Sequence, residues 1–246
     1  MINKFFLDIN CDVGEGLENE SELFPLISSC NIACGGHAGD ENSMIDVVLL
    51  AKKHHLNIGA HPSYPDKKNF GRKKIKISIK KLKESIENQI ISLRDILKRE
   101  NLKLNHIKPH GALYNFASND IETAIIITDL VKKFNVKLYA PYNSLMSKLA
   151  RDKGINTIIE LFLDRNYNSD YSLVNRQNKD AVITNPKNMI EHLDNILNNK
   201  IVAIDNININ VEFDTLCIHG DNPKAVEMLL NLYQHLKSKG ISIRKY

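Results

Sequence analysis

Cysteine is scarce in this 246-residue chain, and the four present, Cys11, Cys30, Cys34 and Cys217, have no disulfide-rich spacing. That excludes a secreted scaffold stapled by disulfides. No stretch rich in Gly, Ser or Pro interrupts the sequence, so no linker is marked and a single domain over residues 1–246 is expected. No charged leader followed by an apolar run opens the chain: Phe5-Phe6-Leu7 is cut short by Asp8. Neither an export signal nor a membrane partner is expected, and a reducing cytoplasm is the expected setting. Charge of one sign is also lacking. Lys and Arg number 33 against 29 Asp and Glu, and a net +4 is too weak an excess to predict a nucleic-acid partner. The one basic run, 72–83, alternates Lys with Ile and Leu and reads as a solvated loop and helix face. A glycine-rich phosphate loop is missing too. Gly14 and Gly16 form only a G-x-G fragment, and no Walker sequence occurs, which argues against a dinucleotide or P-loop fold.

What is present is ordinary globular composition, with 43% hydrophobic and 25% charged residues. A chain this long buries roughly 70 to 75% of its unfolded surface, so any metal would serve function rather than stability. Short apolar runs at 5–10, 31–34, 57–60, 104–108, 136–140, 157–163, 201–204 and 215–218 alternate with segments of helical period. Asp40 is placed to cap a helix to about His54, and Ser78 to open a long one. Along that helix Ile79, Leu82, Ile86, Ile90, Leu93 and Leu97 form one apolar stripe. Asn119 with Glu122 reads as the start of a helix to Phe134, and Pro223 as the first position of a last helix ending before Gly240. Seven or eight such units predict an α/β fold, a distorted (β/α) TIM-like barrel of about seven strands. Residues 206–214 alternate in the manner of an added antiparallel strand.

Polar residues gather where the predicted strands stop. Asp8, Asn10 and Asp12 end the first, with Glu15 just beyond; His37 and Asp40 follow the second, and His61 and Asp66 the third. Lys108 and His110 follow the fourth, Glu160, Asp164 and Arg165 the sixth, and His219 and Asp221 the last. In a parallel barrel these ends meet on one face, where active sites are built. His37, His61, His110 and His219 each adjoin Gly or Pro, whereas His54, His55, His192 and His235 fall within helices and read as surface or packing residues. Two chemistries fit the cluster. Asp12, His61 and His110 could hold a divalent metal. Alternatively, Asp, Glu, His and Lys could divide acid, base and charge-stabilising roles without one. The spacing Cys30-x3-Cys34-x2-His37 has no second ligand pair and reads as buried thiols. Lys108 is expected either to pair with a carboxylate or to hold an anionic substrate.

Six segments carry a specific resemblance: DINCDVGEG (8–16), NIACGGHAGD (31–40), IGAHPSYPD (58–66), FGR (70–72), HIKPHGALYN (106–115) and HGD (219–221). Together they resemble the LamB/YcsF family, the A subunits of bacterial ATP-dependent 5-oxoprolinase. The resemblance implies a distorted barrel related to carbohydrate deacetylases. It implies hydrolysis of the lactam 5-oxo-L-proline to L-glutamate with ATP, accompanied by Mg, as co-substrate, and partner subunits B and C. Carried over by motif, Asp12, Glu15, His37, His61, Lys108, His110 and His219 would line the pocket. Asp8, Asn10, Asp40, Arg72, Tyr114, Asn115, Asp164 and Arg165 would surround it. The roles that follow are Asp12 or Glu15 as general base, Lys108 and His110 stabilising negative charge, and Arg72 or Arg165 gripping the substrate carboxylate. The sequence departs from the family pattern at Gly36, where an aromatic is usual, at Cys30, at 17–20 and at 168–176. Two other readings remain: a stand-alone metal-dependent amidohydrolase or deacetylase, and a non-catalytic subunit that binds substrate for its partners.

Overall fold

In β1 (Phe6–Val13), Leu7, Ile9 and Cys11 belong to the apolar core while Asp8, Asn10 and Asp12 bond to residues of other strands, the two-residue alternation of a strand with two different faces. The computed structural model describes residues 6–244. After β1 come α1 (Glu20–Leu23), β2 (Ser29–Ala33), α2 (Glu41–Lys53), β3 (Asn57–His61), α3 (Ile79–Arg99), β4 (His106–Ile107), α4 (Gly111–Ala117) and α5 (Ile121–Phe134). They are followed by β5 (Lys137–Pro141), α6 (Leu145–Asp152), β6 (Thr157–Phe162), α7 (Pro186–Leu197), β7 (Lys200–Val202), β8 (Asn208–Asn210), β9 (Thr215–His219), α8 (Ala225–Ser238) and β10 (Ser242–Ile243). Strands β1 to β6 and β9 pair in that order, all parallel, and β9 returns to β1, closing a seven-stranded barrel. The expected α/β barrel of about seven strands is therefore what the chain forms.

The core lies between the barrel wall and the helices. On α3 the residues Leu82, Ile86, Ile90, Leu93 and Leu97 are buried as their spacing requires, each worth about 1.5 to 3 kcal/mol against exposure, while Ile79 stays exposed in the first turn. Asp40 caps α2 with a reciprocal Ser43 bond, and Ser78 caps α3. Asp40 is thus a helix cap on the surface, not a pocket residue. The cap of α5 is Asp120 rather than Asn119, because the Asp120 carboxylate reaches both the backbone N–H and the hydroxyl of Thr123. Helix α8 begins at Ala225, past Pro223, since residues 221–224 make a turn held by Asn222.

The run at 201–204 is not a barrel strand. Its residues Ile201 and Val202 lie in β7, which pairs antiparallel with β8 outside the barrel. The added antiparallel strand expected within 206–214 is β8. Asp8 also sits elsewhere than expected: β1 runs on to Val13, so Asp8 lies at the opposite end of the interior from the strand ends. There it accepts from Ser28 and Ser29 at 2.7 Å each, from Thr215 at 2.6 Å and from Tyr139 at 3.2 Å. Among the described residues no helix is long and apolar enough to cross a membrane.

Candidate active site

The barrel interior is polar, and its centre is a lysine. Lys108 follows β4 and is 1% exposed. Its Nζ lies 2.9 Å from Asp12 Oδ1, 2.8 Å from Glu160 Oε1, 3.3 Å from Asn10 Oδ1 and 3.1 Å from Cys217 Sγ. An ammonium has three hydrogens, so these neighbours consume it. Burial opposes its charge, but Asp12 and Glu160 hold its pKa well above the usual lysine value. Asp12 Oδ1 also accepts from Asn31 at 2.8 Å, and Tyr114 of α4 donates to Glu160 Oε2 at 3.0 Å. Burial would raise the Asp12 pKa; His61 and Lys108 outweigh it and hold the carboxyl well below the usual range. Asp12 is therefore ionised in the resting site.

Above this floor stand three histidines. His61 ends β3, and its Nδ1 is 2.8 Å from the Lys108 carbonyl, which only accepts; Nδ1 therefore carries a hydrogen, and Nε2 either donates to Asp12 in the charged ring or carries the lone pair in the neutral one. His110 caps α4 with its Nε2 2.9 Å from the Phe70 carbonyl, which by the same reasoning leaves the lone pair of the neutral ring on Nδ1. His61 Nε2 and His110 Nδ1 face each other at 3.0 Å. His37 stacks on His110 with ring centroids 3.6 Å apart and donates to Glu15 Oε1 at 2.9 Å. Glu15 Oε1 lies 3.4 Å from His110 Nδ1 and 4.0 Å from His61 Nε2, and Asp12 Oδ2 lies 3.3 Å from His61 Nε2. Burial, reinforced by Asp12 and Asp221, pushes the Glu15 carboxyl well above its usual pKa. Burial and neighbouring histidines pull His110 well below the usual value and His37 down to about 2, so both rings are neutral.

The backbone is shaped around these rings. Gly71 has φ +61, and a Cβ there would lie 2.9 Å from His37 Cβ and 3.0 Å from His110 Cδ2, so only glycine lets the loop pass. From α3, Gln89 accepts from the Ser63 N–H at 3.0 Å and donates to its carbonyl at 2.9 Å, fixing the loop that follows His61.

The cluster opens into a cavity of about 720 Å³, lined among others by Asp12, His61, Arg72, Lys108, His110, Tyr114, Asn115, Arg165 and His219. Asn10, Glu15, His37 and Asp164 support these residues without lining the cavity. His219 ends β9 and stacks on Phe162; its Nδ1 lies 2.9 Å from the buried Asp164 carboxylate, which also accepts from the His219 backbone N–H at 3.1 Å. Arg72 stands at the mouth, paired with Asp221, which Arg176 also approaches at 3.6 Å. Arg165 is spent differently: Nε donates to the Ala181 carbonyl at 3.1 Å and Nη2 to that of Val174 at 2.6 Å, and burial lowers its pKa to about 10. Its fork braces the loop after β6, whereas that of Arg72 is turned to Asp221 at the mouth.

Glu160, read from sequence at the end of the sixth strand, is the second carboxylate on Lys108. Three contributors stand outside the set expected from sequence. Gln89 left a signal, an amide on an apolar stripe. Asn31 and Arg176 left none.

Fold and site together define a (β/α) barrel protein whose polar interior ends in a cluster of histidines and carboxylates below a ligand-sized cavity. The chain belongs to the LamB/YcsF family, whose pattern matches residues 7–246. It is 38% identical to the 5-oxoprolinase A subunit of Staphylococcus haemolyticus (strain JCSC1435) over 97% of this chain and 98% of that one. The crystal structure of a lactam utilization protein from Thermus thermophilus superposes with a TM-score of 0.91 at 35% identity, covering 98% of this chain and 100% of that chain. A family 4 carbohydrate esterase from Streptomyces lividans shares the fold alone, with a TM-score of 0.51 at 8% identity over 97% of this chain and 91% of its own.

Proposed function

We propose that the chain is the lactam-handling subunit of an ATP-dependent 5-oxoprolinase, which opens 5-oxo-L-proline to L-glutamate while ATP, with Mg, is hydrolysed to ADP and phosphate. It works with subunits B and C, in a reducing cytoplasm to which four buried free thiols are suited. The observation that carries this reading is the pairing, at one cavity floor, of an ionised carboxylate with a histidine oriented by a buried carboxylate.

A five-membered lactam is an unreactive amide. Transfer of the ATP γ-phosphoryl group to the carbonyl oxygen breaks the amide resonance and opens the carbon to water; loss of the ring nitrogen from that adduct leaves an acyl phosphate, which a second water cleaves to glutamate and phosphate. Arg72 at the mouth holds the substrate carboxylate. Asp12 Oδ2, free of the Lys108 contact, takes a proton from the attacking water. His219, entering the step as the imidazolium with its Nδ1 hydrogen held by Asp164, gives its Nε2 hydrogen to the departing ring nitrogen. Lys108 keeps the Asp12 charge in place, and the cavity leaves room for a phosphoryl donor beside a small lactam.

The test is release of glutamate and phosphate from 5-oxoproline and ATP, by this chain alone and with its B and C partners. Coupled release only with the partners is expected. Cleavage of a lactam or an acetylated sugar by this chain alone, without ATP, would replace the reading with an independent hydrolase. A full complement of activity in complexes carrying Asp12→Ala, Lys108→Ala and His110→Ala would make this a non-catalytic subunit.

A further inference from the structure

The residues around Glu15 pose a charge problem that the reaction above does not answer. In the neutral rings His61 gives its one hydrogen to the Lys108 carbonyl and His110 gives its own to the Phe70 carbonyl, so Nε2 of one and Nδ1 of the other meet lone pair to lone pair at 3.0 Å. Two carboxylates close on the same point, Glu15 at 3.4 and 4.0 Å from the two nitrogens and Asp12 at 3.3 Å from His61. With both rings neutral, four acceptors converge on one point; His37 donates to Glu15 from outside it and Lys108 to the far oxygen of Asp12, but nothing lies between the four, and a cation there would offset their mutual repulsion.

We propose that His61 Nε2, His110 Nδ1 and Glu15 Oε1 bind one first-row divalent cation of the zinc or cobalt class. The spacing of the three donors fits that class. Atoms 3.0, 3.4 and 4.0 Å apart form an acute triangle. A point inside it is equidistant from all three at about 2.1 Å, the usual length of zinc–imidazole and zinc–carboxylate bonds. Two imidazoles and a carboxylate suit a borderline metal better than magnesium or calcium, which take oxygen. The outer partners are also those of a metal site: each ligating imidazole has its other N–H on a backbone carbonyl, and His37 donates to Glu15 Oε1 at 2.9 Å. His37 is a positioning residue rather than a ligand, because its ring lies parallel to that of His110, within 1°, and cannot aim a lone pair at the same point. Bound there, the metal supplies a Lewis acid beside the cavity floor.

The experiment uses the full chain alone, so its result is independent of the lactam reading: the metal can fail while coupled release stands, and the reverse. Protein stripped with a chelator is titrated with Zn²⁺ by calorimetry and with Co²⁺ by its visible absorption, and the purified chain is assayed for metal content. One equivalent per chain is expected, with a cobalt spectrum of low-symmetry nitrogen and oxygen ligation. Glu15→Gln and His61→Ala should each weaken binding by more than a hundredfold, and His37→Ala by about 10- to 100-fold with the ligands intact. Glu15→Gln is nearly isosteric and guards against a misfolded histidine variant, with circular dichroism checking each fold. Substoichiometric binding of both metals by folded protein would overturn the proposal, as would one equivalent held with unchanged affinity in Glu15→Gln and His61→Ala.

Discussion

Asp164 does not line the cavity, yet it fixes which nitrogen His219 presents there. Asp164→Asn keeps the shape but turns an acceptor into a group that can donate, so the favoured tautomer is lost. The expected result in the assembled complex is a fall in kcat of about a hundredfold with KM little changed, the usual size of a general acid's contribution. Unchanged kcat would reduce His219 to a packing residue. Lys108→Ala should behave differently. It leaves Asp12 and Glu160 buried without their counter-charge, so turnover and melting temperature fall together, by roughly 3 to 5 kcal/mol in stability. Gly36 makes a third case. A Cβ there would lie 2.3 Å from Gln89 Oε1 and 2.5 Å from Ser63 Oγ, so Gly36→Ala should cost about 1 to 3 kcal/mol in urea unfolding. Adding Gln89→Ala, which vacates the space, should cost less than the two single changes summed. The sequence shows Gly36 as a departure from the family pattern, but only the fold shows the amide of Gln89 in the space it leaves. Residue types at strand ends were legible. What each donor is spent on was not: Lys108 reads equally as the partner of a carboxylate or of an anionic substrate, and Arg165 as a grip on the substrate carboxylate, until their partners are placed.

Among the elements, α7 carries the clearest pH dependence. His192 is buried on its inner face, its Nε2 3.1 Å from the Phe162 carbonyl, and burial lowers its pKa to about 4. In the unfolded chain a histidine titrates near 6.5, so between those values the unfolded state takes up a proton that the native state refuses. The stability this neutral ring preserves is full above about 6.5 and drains away as pH falls toward 4, by about 3 kcal/mol in all. His192→Gln keeps an N–H for the carbonyl and does not titrate. Urea midpoints measured across that window should fall less steeply for the variant than for the parent, and parallel slopes would show that other buried groups dominate. Element existence was mostly readable because apolar period is a local property. The run at 201–204 has the apolar, β-branched character of a barrel strand, and a three-residue hairpin arm has the same; only its partner, β8, distinguishes them. The length of β1 misled similarly, placing Asp8 at the wrong end of the barrel.

At the scale of the molecule, Asp8 becomes the tie of the barrel's closed end, gathering hydroxyls from β2, β5, β9 and the turn before β2. Asp8→Ala leaves Ser28, Ser29, Tyr139 and Thr215 without this acceptor and should lower stability by several kcal/mol, at about 1 to 3 per buried group left unpaired. Turnover per folded complex should stay near that of the parent, since the cavity is at the other end. A matching loss of kcat in fully folded protein would mean that the interior column transmits to the site. Beyond Asp8, Phe6 of β1 pairs in parallel with Ser242 of β10, so the first and last strands run side by side at that same closed end. Anything attached through either terminal strand, whether a solid support, a fluorophore or a fused partner, departs from the base of the barrel and leaves the mouth unobstructed.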